Sequence, residues 1–184
     1  VLKMLAMGGE GTPAERLKHL HITPLTISYE YDPCDYLKAM EFQQKRDNPS
    51  FKKSKQDDLD NMKTGIWGKK GHIHYQTAPC INAWIDTLAH LPKAEFFTAV
   101  AQRMDREIHK GYMLFSGNYV ALDLLQGNTA HQSHYSAAEK ERFEKYIQER
   151  IDMIPLPNKD VPFLREKLLA MYANPVINKE KAVE

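Results

Sequence analysis

The segment ITPLTISYEYDPCDYLK, which covers residues 22–38, constrains the fold more than any other part of this chain. Its first eight residues contain apolar or aromatic bulk at Ile22, Leu25, Ile27 and Tyr29, with the small hydroxyl residues Thr26 and Ser28 between them. This pattern is typical of a buried β-strand. Asp32 then stands at a helix N-cap position, and Pro33 occupies the first helical position. We therefore expect a strand over 22–29 that leads into a helix over about 33–46, an order of elements found at the ligand sites of α/β proteins.

Composition and charge exclude several classes of protein. The sequence is 42% hydrophobic and 27% charged, with a formal net charge of +1, which is typical of a globular domain. This near-neutral charge argues against nucleic-acid binding, and no apolar run approaches the roughly 18 residues that a transmembrane helix needs. The two cysteines, Cys34 and Cys80, are too few for a disulfide framework, so we expect a cytoplasmic protein.

The two parts of the chain differ in periodicity. Before residue 82, short helices alternate with two strand candidates, at Ile22–Tyr29 and Gly71–Ile81, and the polar segment 44–60 between them reads as a loop. From residue 82 onward the pattern is helical. We predict an α/β part over 1–81, with few strands in a parallel or mixed sheet, followed by an all-α extension over 82–184.

Three amphipathic helices are expected in the extension. The predicted ranges are 94–110, 137–153 and 161–173, and Ser136 with Glu139 forms a capping box before the second of them. Asn174-Pro175 is expected to end the third helix.

The α/β part looks incomplete on its own. A parallel strand needs sheet neighbours because its backbone groups must pair, and only two convincing strands are present. The sequence also opens at Val1 with an apolar, helix-like stretch. We therefore expect this chain to be part of a longer protein and to expose an apolar patch around Ile22, Leu25 and Ile27.

Short motifs in the first part resemble a known enzyme family. Ile22, Pro24 and Ile27 match an I-x-P-x-x-I strand, and a later G-x-I-x-V-x-x-x-x-P-I strand is similar to the sequence around Gly71–Ile81, although Tyr75 replaces the usual aliphatic residue. In order and spacing these motifs resemble the C-terminal half of the glycerophospholipid (lysophosphatidic acid-type) acyltransferases. The amino-acid sequence of residues 22–62 resembles that of bacterial members of the Bacteroides type.

This resemblance implies an enzyme of phospholipid biosynthesis. Such an enzyme transfers a fatty acyl group from acyl-CoA or acyl carrier protein to a glycerolipid-like acceptor, and needs no covalently bound cofactor. In the family the I-x-P-x-x-I strand lines the acceptor and acyl pocket. The resemblance therefore implies that the candidate substrate-binding residues are Pro24, Thr26, Ser28 and Tyr29.

The family's catalytic H-x-x-x-x-D motif is missing from this chain. None of the eight histidines has an aspartate at that offset, and His90 and His134, which have a glutamate there, read better as helix-entry residues. The resemblance therefore places the catalytic base upstream, and we expect no catalytic residue and no activity in this chain alone. Glu10-Gly11-Thr12 is similar to the family's phosphate-binding E-G-T-R block, but a glycine-rich turn between two helices explains it better.

Two further patterns have competing interpretations. His72 and His74 share one strand face and could ligate a metal, but no further ligand has recognisable spacing, so we predict no metal site. A basic segment could contact anionic headgroups of the inner membrane or coenzyme phosphates, or could be a solvated loop balanced by nearby aspartates; its members are Lys45, Arg46, Lys52, Lys53 and Lys55. The alternative function is a non-enzymatic helical module that binds a protein partner or a membrane surface.

Overall fold

The computed structural model describes all residues from Val1 to Glu184. It is mainly helical, with 62% of residues in helices and one small sheet of two antiparallel strands. The elements in chain order are α1 (Leu2–Leu5), α2 (Pro13–His19), β1 (Leu25–Tyr29), α3 (Asp35–Asp47), α4 (Lys55–Trp67), β2 (Ile73–Thr77), α5 (Lys93–Lys110), α6 (Ser116–Gln126), α7 (Ala137–Asp152) and α8 (Val161–Val183). None of these helices combines the length and the apolar character that crossing a bilayer requires.

The chain forms two compact units that interleave along the sequence. The first unit comprises Val1–Ser28, His74–Met113 and Asn178–Glu184, and the second comprises Tyr29–Ile73 and Leu114–Ile177. The predicted boundary after residue 81 therefore does not coincide with a boundary between these units.

The prediction of a parallel or mixed sheet is wrong, because β1 and β2 run in opposite directions. The amide of Ala78 donates to the carbonyl of Pro24 at 2.9 Å, and the amide of Glu30 donates to the carbonyl of His72 at 2.9 Å. This register places Ile27 opposite Tyr75. An antiparallel pair tolerates one solvated face, whereas parallel strands are normally covered on both faces.

The burial of β1 is the reverse of what its composition suggests. Thr26 and Ser28 are buried, whereas Leu25, Ile27 and Tyr29 are 48%, 42% and 37% exposed. Of the three residues predicted to form an apolar patch, Leu25 and Ile27 are exposed, whereas Ile22 is half-buried and packs against the core of the first unit. The small hydroxyl face of β1 is the one that packs, and Thr26 lies against Gly111 and the carbonyl of Ile108 at the C-terminal end of α5.

The first unit has a small core between α1, α2 and α5. The expected apolar stripe of α5 supplies Phe96 and Val100 to this core, and Leu17 of α2 is completely buried in it. Two short 3₁₀ turns after β2 add Ile81 and Ile85, which are also fully buried. The prediction of a helix over 94–110 is confirmed by α5.

The second unit has the larger core, built by α3, α6, α7 and α8. The predicted amphipathic character of the second and third helices is confirmed by α7 and α8, since their apolar positions are buried there. The buried residues include Phe143, Ile147, Ile151, Leu164 and Leu168. The Ser136–Glu139 capping box that starts α7 is also confirmed.

Three helix boundaries differ from the sequence prediction. The N-cap of α3 is Cys34, and Asp32 instead accepts a hydrogen bond from the Cys34 amide at 2.9 Å. Within the predicted loop 44–60, a capping box at Ser54 starts α4. Finally, α8 continues through Pro175 because buried apolar residues on both sides of the proline, Tyr172 and Val176, keep it packed.

Candidate functional site

The structure separates the four predicted substrate-binding residues. Pro24, Thr26 and Ser28 are buried on one side of β1, whereas Tyr29 is exposed on the other. The Thr26 hydroxyl donates to the carbonyl of Ile108 at 2.9 Å. The buried side of β1 is thus structural: its hydroxyls satisfy backbone groups at the end of α5 and are not free for a ligand.

Ser28 has an equivalent role one step along the strand. Its hydroxyl accepts a hydrogen bond from the amide of Met113 at 3.1 Å, just beyond the C-terminus of α5. Gly111, the C-cap of α5, lies so close to Thr26 that an added Cβ would approach the Thr26 hydroxyl oxygen to 2.6 Å. Hydroxyl residues on β1 therefore serve as caps for α5, a function the sequence pattern does not distinguish from ligand binding.

A cavity of about 550 Å³ in the first unit has the features of an anion site with an apolar floor. Its walls combine three cationic side chains with alanine, methionine and phenylalanine, and the lining residues are Lys3, Ala6, Met7, Arg16, Lys93, Ala94 and Phe97. No carboxylate lines the cavity, and none of the three cations forms an ion pair. The arrangement suits a ligand with a negatively charged end and an apolar body.

Local sequence signals position the three cations. Lys3 lies on α1, and a glycine-rich turn then leads to α2, whose capping box joins Thr12 and Glu15. This confirms the turn interpretation of Glu10-Gly11-Thr12, since Thr12 is the N-cap of α2. Lys93 is the first residue of α5 and directly follows Pro92.

Arg16 is the one arginine among the residues that line this cavity. Its Nη1 donates to the carbonyl of Ala6 at 3.1 Å, but its Nε is buried and has no hydrogen-bond partner. A buried donor without a partner is uncommon and costs free energy. Since a guanidinium can donate two parallel bonds to a phosphate or carboxylate, Arg16 is the residue best suited to hold an anion here.

A different arrangement of polar groups lies in the interior of the second unit. Asp35 is completely buried, and its carboxylate accepts hydrogen bonds from Tyr146 at 2.5 Å, Tyr172 at 2.7 Å and Arg150 at 2.5 Å. Burial, together with the negative charge of Asp35, raises the pKa of both Tyr146 and Tyr172. Because every member of this network is bonded, we assign it a structural role.

A more polar cavity of about 420 Å³ in the second unit brings together histidines that the sequence leaves far apart. His72 and His134 both line it, and His72 Nδ1 lies 2.8 Å from the Glu30 carboxylate. Burial acts to raise the pKa of Glu30, but hydrogen bonds from the His72 backbone and ring outweigh it and hold that pKa below its usual value. Arg142 and Glu139 also line this cavity.

His134 and Glu139, which have the spacing of the family's catalytic motif, make other contacts in the structure. Glu139 accepts hydrogen bonds from the Ser136 amide and hydroxyl in the capping box, and His134 stacks on Tyr119 with ring centroids 4.1 Å apart. No group of three His, Cys, Asp or Glu side chains is arranged to hold a metal ion.

Most of the predicted basic segment is engaged in ion pairs. Lys45 and Lys53 both pair with Glu41, and Arg46 pairs with Asp47 and Asp160 at 2.7 Å each. The two other lysines of the segment, Lys52 and Lys55, form no ion pair.

Comparison with known proteins adds no relative from which a role could be transferred. No family model, no curated protein and no solved structure matches this chain.

Proposed function

We propose that this chain is the C-terminal part of an acyltransferase of the glycerophospholipid type. Its first unit would bind the anionic end of a glycerolipid-like acceptor in the cavity beside Arg16. The acyl donor would be acyl-CoA or acyl carrier protein, and the α/β domain would be completed by sheet neighbours outside these residues. The observation that supports the proposal best is the cluster of three cations without ion pairs, over an apolar floor.

The chemistry of a lysophospholipid matches this cavity at both ends. Its phosphate can accept hydrogen bonds from the Arg16 guanidinium and from the ammonium groups of Lys3 and Lys93. Its acyl chain can lie against Phe97 and the methyl groups of Ala6 and Ala94, where apolar contact is favourable.

The proposal assigns binding, and not proton transfer, to these residues. Deprotonating an acceptor hydroxyl needs a base held in a defined tautomer, and in the proposed family a histidine–aspartate motif upstream of this region provides it. Among the predicted site residues, Tyr29 is the exposed one, but it does not line this cavity.

A binding experiment with matched variants tests the proposal. We expect the purified chain to bind a short-chain lysophosphatidic acid, measured by titration calorimetry below its micelle concentration. Arg16→Gln and Lys93→Gln should each weaken binding about tenfold or more. Arg106→Gln, which removes an exposed cation from the same helix as Lys93, should leave the affinity unchanged.

Two partial ligands separate the contributions of head and tail. Glycerol 3-phosphate and a neutral monoacylglycerol of the same chain length should each bind more weakly than the complete lysolipid.

Equal weakening by Arg106→Gln would show a nonspecific charge effect and contradict the proposal. Absence of lysolipid binding would favour the alternative of a non-enzymatic helical module, and acyl transfer by these 184 residues alone would contradict the assignment of the base to an upstream segment.

A further inference from the structure

One wall of the cavity beside Arg16 comes from a single short segment of the chain. This wall is formed by residues 2–7, which include α1 and are called the α1 segment below; it supplies Lys3, Ala6 and Met7. The other lining residues belong to α2 and α5, and they are Arg16, Lys93, Ala94 and Phe97. The cavity therefore exists only while the α1 segment lies against these two helices.

A glycine-rich turn, residues 8–11, joins the α1 segment to α2. All four residues are exposed, and none of them takes part in a backbone hydrogen bond. Gly9 and Gly11 have φ values of +85° and +93°, which glycine adopts without the steric cost that other residues meet. A Cβ added at Gly8 would have no atom within 4 Å, and one added at Gly9 would have its nearest atom at 4.0 Å. The turn thus has few contacts that resist a change in its backbone angles, which is typical of a hinge.

Few interactions hold the α1 segment against the rest of the first unit. Ala6 is its only buried residue and Leu2 is half-buried against the core, whereas Met4 and Met7 are 73% and 76% exposed. One hydrogen bond joins the segment to the remainder of the unit, from Arg16 Nη1 to the carbonyl of Ala6 at 3.1 Å. A segment with so little buried apolar surface opens locally at a small fraction of the free energy of global unfolding.

Arg16 can hold the α1 segment and an anion at the same time. Its Nη1 bonds to Ala6, whereas its Nε is buried and has no partner. The Nε–H and one Nη2–H of a guanidinium point in the same direction and form a fork that fits two oxygens of a phosphate. An anion on this fork leaves the bond to Ala6 intact. It also fixes the guanidinium in the orientation that this bond requires.

We propose that the α1 segment is a lid that closes over the bound anion, with residues 8–11 as its hinge and Arg16 as its latch. The lid opens and closes in the free chain. A bound anion favours the closed state because it orders Arg16 and attracts Lys3, which lines the cavity only when the lid is closed. The inference rests on the proposed function, since the anionic ligand is the one proposed there.

Hydrogen exchange of the α1 segment measures the closure. In the free chain, the amides of Leu5, Ala6 and Met7 should exchange much faster than those of Phe143 and Ile147 in α7. Saturating lysophosphatidic acid should slow exchange in the α1 segment about fivefold or more and leave α7 unchanged. Sulfate, a small dianion, should slow it to a smaller extent, and sodium chloride of equal ionic strength should have no effect.

Two glycine variants test the hinge. Gly9→Ala places a side chain at a φ of +85°, so the turn loses the shape that closes the lid. The affinity for lysophosphatidic acid should fall about tenfold, and exchange in the α1 segment should become faster. Gly8→Ala is the matched control, because its added methyl group meets no atom and its φ lies outside the left-handed region. It should behave like the unchanged chain, and circular dichroism verifies that both variants fold.

The readouts separate this inference from the proposed function. Binding of lysophosphatidic acid in calorimetry, without slower exchange in the α1 segment, would overturn the lid and leave the proposed function standing. Slower exchange with sulfate, without binding of the lysolipid, would support the lid and contradict the proposed function. Three further results would overturn the lid: slow exchange of the α1 segment in the free chain, no slowing with either ligand, and equal effects of Gly8→Ala and Gly9→Ala.

Discussion

The two units differ in how completely their buried polar side chains are hydrogen-bonded. In the second unit, the buried carboxylate of Asp35 is bonded to two tyrosines and an arginine. In the first unit, three buried side-chain atoms have no hydrogen-bond partner: Arg16 Nε, Asn82 Oδ1 and Trp84 Nε1. All of the unpartnered buried side-chain atoms thus belong to the unit that contains the amphipathic cavity.

This difference bears on the structural role of the Asp35 network and on the binding role that we propose for Arg16. A satisfied network of buried groups holds one conformation but leaves nothing to recognise a ligand. Unsatisfied groups cost stability and are therefore expected at sites where a ligand completes them. The comparison supports a structural role for the Asp35 network and, through Arg16, the ligand binding that we propose for the cavity.

The largest expected effect is the loss of Arg150 from the second unit. Its Nε donates to Asp35 at 2.5 Å and its Nη2 donates to the carbonyl of Pro33 at 2.7 Å. Arg150→Met leaves the buried Asp35 carboxylate without its counter-ion, which should lower the free energy of unfolding by about 3–5 kcal/mol. Urea denaturation followed by circular dichroism measures this change.

A surface arginine of the same unit is the control for Arg150. Arg46 pairs with Asp160, and both side chains are 39% exposed, so solvent screens the pair and Arg46→Met should lower the free energy of unfolding far less than Arg150→Met. Similar costs for Arg46→Met and Arg150→Met would show that the Asp35 network does not stabilise the second unit in the way proposed.

A smaller effect is expected where β1 caps α5 in the first unit. Gly111→Ala would place a Cβ 2.6 Å from the Thr26 hydroxyl oxygen, and the required shift should cost about 1–3 kcal/mol of unfolding free energy. Gly8→Ala is the matched control, since an added Cβ there has no atom within 4 Å. In the Thr26→Ala background the cost of Gly111→Ala should fall, and an unchanged cost would contradict this close packing.

Alkaline pH should destabilise the second unit through the phenol of Tyr135. Burial, with the nearby Asp123 carboxylate, raises the pKa of Tyr135 to about 12, whereas an unfolded tyrosine ionises near 10. The folded state therefore keeps a proton that the unfolded state releases. This contribution to stability is complete below about pH 10 and is lost as the pH rises toward 12.

Comparison of the unchanged chain with Tyr135→Phe isolates this effect. Tyr135 is partly exposed, so we expect the variant to lose less stability than the unchanged chain, by under about 1 kcal/mol per pH unit between pH 10 and 12. Urea midpoints at a series of pH values measure the slopes, and parallel slopes would contradict the raised pKa.

Sequence periodicity predicted the amphipathic helices well, but it did not predict which face of β1 is buried. The stripes of α5 and α7 and the capping box at Ser136 are local signals, and local signals fix local structure. The alternation in β1 was visible too, but alternation alone does not say which face is buried. Thr26 and Ser28 face inward because the end of α5 needs hydrogen-bond partners and close packing at Gly111, a requirement that arises more than eighty residues later in the chain.

The candidate cavity could not be predicted from the sequence for a related reason. Lys3, Arg16 and Lys93 belong to three helices, and no spacing rule links them. The same is true of Asp35 and Arg150, whose pairing depends on how α3 and α7 pack. One missed element did have a local signal: Ser54 and Asp57 form the capping box of α4, within a segment whose charge suggested a loop.

The smallest expected change in stability, and the sharpest test of the comparison, is Arg16→Met. Arg16 makes one hydrogen bond, to the Ala6 carbonyl, worth about 1 kcal/mol, and removing its unpartnered Nε offsets part of that loss. The free energy of unfolding should therefore change by less than about 1 kcal/mol, in contrast to Arg150→Met. Lysophosphatidic acid binding should nevertheless weaken about tenfold or more, because the cavity loses its only guanidinium. A loss of stability as large as that of Arg150→Met would mean that Arg16 supports the fold. Unchanged stability with unchanged lysolipid affinity would instead remove the cavity as the binding site of the first unit.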